Sequence, residues 1–142
     1  MTGVEPEWSA LLALQRAAHA SLQVLAAAVA DLGLTGSELN ALANLADGRG
    51  RSVSELGRAA GTRPTTLTSV LDRLEQRGHI TRGPRLGDRR GVLIELTPSG
   101  RRAAATIRHA VAGIERHALG SLPAEAIAAL RTTLQAFTEV SG

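Results

Sequence analysis

The chain reads as a mainly α-helical protein carrying one small β-hairpin, and three observations predict this. Apolar residues recur at three- and four-residue spacing along six separate stretches of its 142 residues. Only Ile80 to Pro84 and Val92 to Leu96 look like strands, and glycines and arginines separate them. Trp8 and Phe137 are the only aromatic residues, so the core must be built from Leu, Ala, Val and Ile, which favours helix pairing over a large sheet.

The first helix is expected from Pro6 to about Leu32, with Leu11, Leu14, Ala18, Leu22, Leu25, Val29 and Leu32 forming one stripe. It is longer than one compact domain needs, and its alanines allow close approach, so the reading favours association with a second copy. Thr35 and Glu38 have capping-box spacing and open a second helix, which Asp47-Gly48 ends. A short basic turn follows, with one or two residues near Arg51 to Val53 suited to sheet pairing. Ser52 and Glu55 then cap a third helix from Val53 to Ala60.

A fourth helix follows the Gly61-Thr62 turn, with Thr62 expected as its N-cap, Pro64 in the first turn and Gly78 as the stop. Leu67, Val70, Leu71 and Leu74 give its buried face. The other side carries Arg63, Pro64, Thr65, Thr66, Thr68, Ser69, Arg73 and Arg77. Such a face fits the major groove of DNA, where hydroxyls meet base edges or phosphates and arginine pairs with guanine. From this helix alone, a solvated amphipathic surface accounts for the pattern equally well.

The hairpin tips the balance. Between its strands lie RLGDRRG, with Arg85, Arg89 and Arg90 on a loop and Asp88 placed to hold one guanidinium. Arginine on a thin loop suits the minor groove. Beyond it, Thr97-Pro98 opens a fifth helix to about Leu119, and Pro123 a sixth through Val140. Charge is segregated in the same way. Residues 49 to 102 hold twelve arginines against five acids, giving +7, and the rest holds four against eight, giving −4. A basic middle is the footprint of a phosphate-binding face.

The sequence LDRLEQRGHITR, a loop containing GDRRG, and then LTPSGRR resemble the winged helix-turn-helix of the MarR family of bacterial transcriptional regulators. Asp88-Arg89-Arg90 followed by Leu96-Thr97-Pro98 and Gly100 is the most specific part. Two departures stand out. His79 occupies a position where leucine or tyrosine is commoner, and all sixteen basic residues are arginine. The resemblance implies one domain over 1–142, with a winged helix-turn-helix at about 34–97 and dimerisation helices at about 6–32 and 98–140.

It further implies a homodimeric, cytoplasmic repressor that binds a near-palindromic site in double-stranded DNA and is released by a small-molecule effector. Arg51, Ser54 and Arg58 would contact phosphates. Trp8, Leu12, Arg16 and His19 would line the effector pocket. The alternative is a winged-helix interaction module whose basic face meets an acidic protein.

Other chemistry finds no support. With no cysteine there is no disulfide, thiolate metal site or thiol-based sensor. His19, His79, His109 and His117 make no metal-ligand pattern, and neither a nucleophile elbow nor a phosphate-cradling loop is present. No enzyme activity, cofactor or metal is expected, and no signal peptide or membrane span is apparent.

Overall fold

A computed structural model describes residues 9–85 and 88–140, with backbone alone at 85 and 88–90. In chain order it holds α1 (Ala10–Ala28), a 3-10 turn (Ala30–Leu32), α2 (Gly36–Ala43), β1 (Arg51–Ser52), α3 (Val53–Ala60) and α4 (Pro64–Gln76). Then come β2 (Ile80–Arg85), β3 (Asp88–Leu96), α5 (Pro98–Leu119) and α6 (Ala124–Glu139). Six helices and a small antiparallel sheet in the order β1-β3-β2 match the predicted class.

The capping chemistry is as expected in α2 and α3. Thr35 and Glu38 close one reciprocal box, Ser52 and Glu55 the other. Each satisfies two donors that a helix start would otherwise leave unpaired. Arg51 and Ser52 pair with Ile94 and Leu93, so the short basic turn does add a strand to the hairpin.

Three boundaries differ from the sequence reading. Ser9 accepts the Leu12 N–H, so α1 begins at Ala10; the expected start at Pro6 lies outside the described residues. Its far end breaks at Val29, where ψ is 30°, into the 3-10 turn that closes on left-handed Gly33. Thr62 is not the cap of α4. Arg63, directly before proline, is forced into an extended conformation (φ −66°, ψ 147°) and takes that position without a side-chain cap. Thr62 instead donates its N–H to Gly57 O at 3.0 Å and helps close the α3–α4 turn. Finally, the strands run further than Pro84 and Val92. Arg85 opposes Asp88, with a register shift at Pro84/Arg85, so five of the residues expected in an open loop, Arg85 and Asp88 to Gly91, have strand backbone.

The chain divides into two compact units, 1–111 and 112–142, and the division falls within α5. In the first unit Leu39, Leu42, Leu45, Leu56, Leu67, Leu71, Leu74, Ile80, Ile94 and Ile107 form one buried aliphatic cluster. The opening turns of α5 belong to it, because Ala103, Ala104 and Ile107 are buried. Only the C-terminal end of α1 joins, through Leu25, Ala26 and Val29. The rest of α1 buries nothing, and Leu11, Leu12, Leu22 and Val24 are exposed. In the second unit, the end of α5 leads through a Gly120 turn to α6, which also has no buried residue and exposes Leu130 and Leu134.

The seam between α4 and α5 is unusually tight. Thr97 donates its N–H to His79 O at 3.0 Å and its hydroxyl to Gly78 O, while Oγ1 accepts the Gly100 N–H at 3.0 Å. Ser99 Oγ lies 3.0 Å from His79 Nδ1. A Cβ at position 100 would fall far inside contact distance of the His79 carbonyl, against backbone that cannot swing aside. Gly100→Ala is therefore expected to lower the unfolding free energy by about 3 kcal/mol. Urea titration measures this, and a variant as stable as the parent would show that the seam opens freely.

Candidate nucleic-acid interface

Two-sided α4 is the centre of the site. Leu67, Val70, Leu71 and Leu74 are at most 1% exposed, and this one-sided burial fixes the opposite face outward. Arg63, Pro64, Thr65, Thr66, Thr68, Ser69 and Arg73, the seven predicted helix residues, are all exposed. Two hydroxyls have intrahelical partners. Thr68 donates to Pro64 O at 3.0 Å, and Ser69 Oγ accepts from Arg73 Nη1 at 3.1 Å. Each retains further hydrogen-bonding capacity toward a ligand.

Between α3 and the start of α4 opens a cleft of about 490 Å³, lined by Val53, Ser54, Gly57, Arg58, Thr62 and Leu67. Ser54 and Arg58 are exposed at this surface. Arg51 is engaged differently. Its Nε donates to Asn44 O at 2.7 Å and its Nη2 to Asp47 Oδ2 at 3.1 Å, so it braces the turn after α2. The Arg49 N–H, with help from the Arg51 charge, holds the Asp47 carboxyl below its ordinary pKa.

On the hairpin, the side chains of Arg85, Asp88, Arg89 and Arg90 lie outside the described residues; their backbone lies at the distal end of β2 and β3. Behind them is a contact that sequence reasoning missed. Arg82 on β2 donates from Nη2 to Asp72 Oδ1 at 2.8 Å and to Glu75 Oε1 at 2.6 Å, with Nε also 3.2 Å from Glu75 Oε1. Those bonds, Glu75 first, raise the Arg82 pKa further, so its charge persists throughout any usable pH range. Both acids on α4 are thus paired with one arginine of the wing, which offsets one of their two negative charges.

Glu38 was also missed as more than a capping residue. It is 1% exposed and faces Arg73 and Arg77 on α4. An acid set among Leu39, Ala41 and Leu42 on a helix of known buried face was the available signal. Of the expected effector-pocket residues, Leu12, Arg16 and His19 lie exposed on α1 and none lines the cleft described above; Trp8 lies outside the described residues. Among the described residues, no group of three or more His, Asp or Glu could hold a metal ion. No described helix is long and apolar enough to cross a membrane.

Comparison with known proteins fits this geometry. The family profile described as MarR family matches residues 32–91, which hold α2, α3, α4 and most of the hairpin. The HTH-type transcriptional regulator PecS of Dickeya dadantii (strain 3937) is 51% identical over 49 residues, 34% of this chain and 30% of that one. Residues 32–91 are thus similar to the MarR family. The MarR-type fold extends over nearly all of the chain: NadR in complex with 4-hydroxyphenylacetate superposes with a TM-score of 0.84 at 21% identity, covering 99% of both chains. CouR from Rhodococcus jostii RHA1, bound to p-coumaroyl-CoA, gives 0.80 at 25% identity over 88% of each. The family and its structural neighbours are transcriptional regulators, not enzymes.

In this chain the wing is tethered to α4 through Arg82. Because all three side chains meet water, Arg82→Gln is expected to cost about 1 kcal/mol or less. Amide exchange should nevertheless quicken in β2 and leave α3 unchanged, which hydrogen-exchange mass spectrometry resolves.

Proposed function

We propose that this chain is a homodimeric, sequence-specific DNA-binding repressor released by a small-molecule effector. The observation that carries the reading is the outward face of α4: a surface of proline and short hydroxyls whose neighbouring acids, Asp72 and Glu75, are both bound to Arg82. Short hydroxyls let the helix approach base edges closely, and Arg82 offsets part of the repulsion that the two acids would exert on phosphates. In this reading Arg63, Pro64, Thr65, Thr66, Thr68 and Ser69 enter one major groove. Ser54 and Arg58 meet the flanking phosphates, with Arg51 bracing the turn behind them. Arg85, Arg89 and Arg90, held by Asp88, reach the adjacent minor groove.

Dimerisation rests on the apolar residues left uncovered on α1 and α6. Leu11, Leu12, Leu22 and Val24 on one, and Leu130 and Leu134 on the other, are exposed apolar side chains that a second copy could cover. Two-fold symmetry would then set half-sites about one helical turn, ~10 bp, apart. The effector is proposed as an aromatic acid or its thioester, by analogy with the ligands of NadR and CouR. It would lie against α1 at Leu12, Arg16 and His19, with Trp8 nearby.

Fluorescence anisotropy with the chain's own upstream intergenic DNA and a scrambled duplex, in excess competitor, tests the reading. Preference for the native duplex by about 10³-fold is expected, and equal binding would overturn it. Arg90→Ala should weaken binding and flatten the dependence of log K on log salt by about one unit.

Sedimentation should give twice the chain mass, and Leu130→Asp with Leu134→Asp should shift it toward the monomer. A parent protein that sediments as a monomer at micromolar concentration removes the two-half-site arrangement.

A further inference from the structure

Glu38 presents a charge problem that its capping role does not resolve. Oε1 accepts the Thr35 N–H at 2.7 Å, which completes the capping box of α2. Oε2 is buried and has no hydrogen-bond partner. An unpaired buried carboxylate oxygen is unfavourable unless charge compensates it. The compensation comes from the recognition helix: Arg73 Nε lies 3.5 Å and Arg77 Nε 3.9 Å from Oε2. Both distances exceed those of charge-assisted hydrogen bonds, about 2.7–2.9 Å, so Glu38 locks neither guanidinium in place, and Arg73 keeps a neutral bond from Nη1 to Ser69 Oγ at 3.1 Å. The attraction is Coulombic, and the low-dielectric surroundings of a carboxylate 1% exposed strengthen it.

Arg73 and Arg77 sit one turn apart, and their side chains are 45% and 47% exposed. Their heads therefore stand at the water boundary, where reaching toward a phosphate competes with the attraction of Glu38 for each Nε. One carboxylate holds two cations, and the three groups together carry a single positive charge. We propose that Glu38 is a specificity-determining residue: by restraining Arg73 and Arg77 it keeps the recognition helix from gripping phosphates of any sequence, so that Pro64 to Ser69 decide which duplex is held. This rests on the DNA-binding reading above and deepens it. It also gives Arg73 a role other than reading a base.

Glu38→Gln preserves the size of the side chain and the acceptor of the capping box while removing the charge. Anisotropy at several salt concentrations should show about tenfold tighter binding to scrambled duplex and a salt slope steeper by about one unit. Binding to the native duplex should change less, so the preference falls. Adding Arg73→Ala to this variant returns the local charge to its starting value and should restore the parent's slope and preference.

Parallel weakening toward both duplexes with an unchanged slope would show that Glu38 serves only structure, and would overturn the proposal; so would no change at all. Should circular dichroism find Glu38→Gln unfolded, the double variant Arg73→Ala with Arg77→Ala decides the matter with Glu38 intact. Restrained arginines predict a loss of less than about half a unit of slope. A loss near two units places both on phosphates already and overturns the proposal. A parent protein that does not distinguish the two duplexes defeats the DNA-binding reading itself, an outcome separate from any effect of Glu38.

Discussion

Everything the site presents depends on burial of the aliphatic edge of α4. Leu67, Val70, Leu71 and Leu74 pack against α2, α3 and the hairpin in one cluster, and full burial of each such side chain contributes about 2 kcal/mol. Rotating α4 to show another face would expose all four at once. The outward direction of Pro64, Thr65, Thr66, Thr68 and Ser69 is therefore a property of the core rather than of the surface. Loops and capping boxes refine the placement that the core has already determined.

Charge is arranged over that surface with more restraint than composition suggests. Of the arginines in the basic middle of the chain, Arg51 is bound to Asp47, Arg82 to Asp72 and Glu75, and Arg73 and Arg77 share Glu38. The surplus of positive charge is genuine, but much of it braces turns and helices. Arg63 and Arg58 stand exposed beside the hydroxyl face, while the braced arginines flank it.

Local chemistry was the most legible part of the sequence. Capping boxes at Thr35 and Ser52 depend on residues three apart, and the stripe of α4 on a fixed period, so both could be read without knowing the fold. The Thr62 cap was misread because Pro64 constrains its predecessor more strongly than a hydroxyl two residues earlier attracts a helix end. Contacts between distant segments were invisible. Nothing local announces that Glu38 meets residues 35 and 39 positions later, or that Arg82 folds back onto α4. Gly100 stood out as part of a motif, but its reason is the carbonyl of His79, which only the packed structure supplies.

The sheet has one further consequence. Its central strand β3 is flanked by β1, two residues long, and by β2, whose outer part holds Pro84 with no N–H to donate. Along the β2 margin, Pro84 interrupts the row of donors that an added strand would need. A strand from another molecule added along β2 would lose its ladder at that proline.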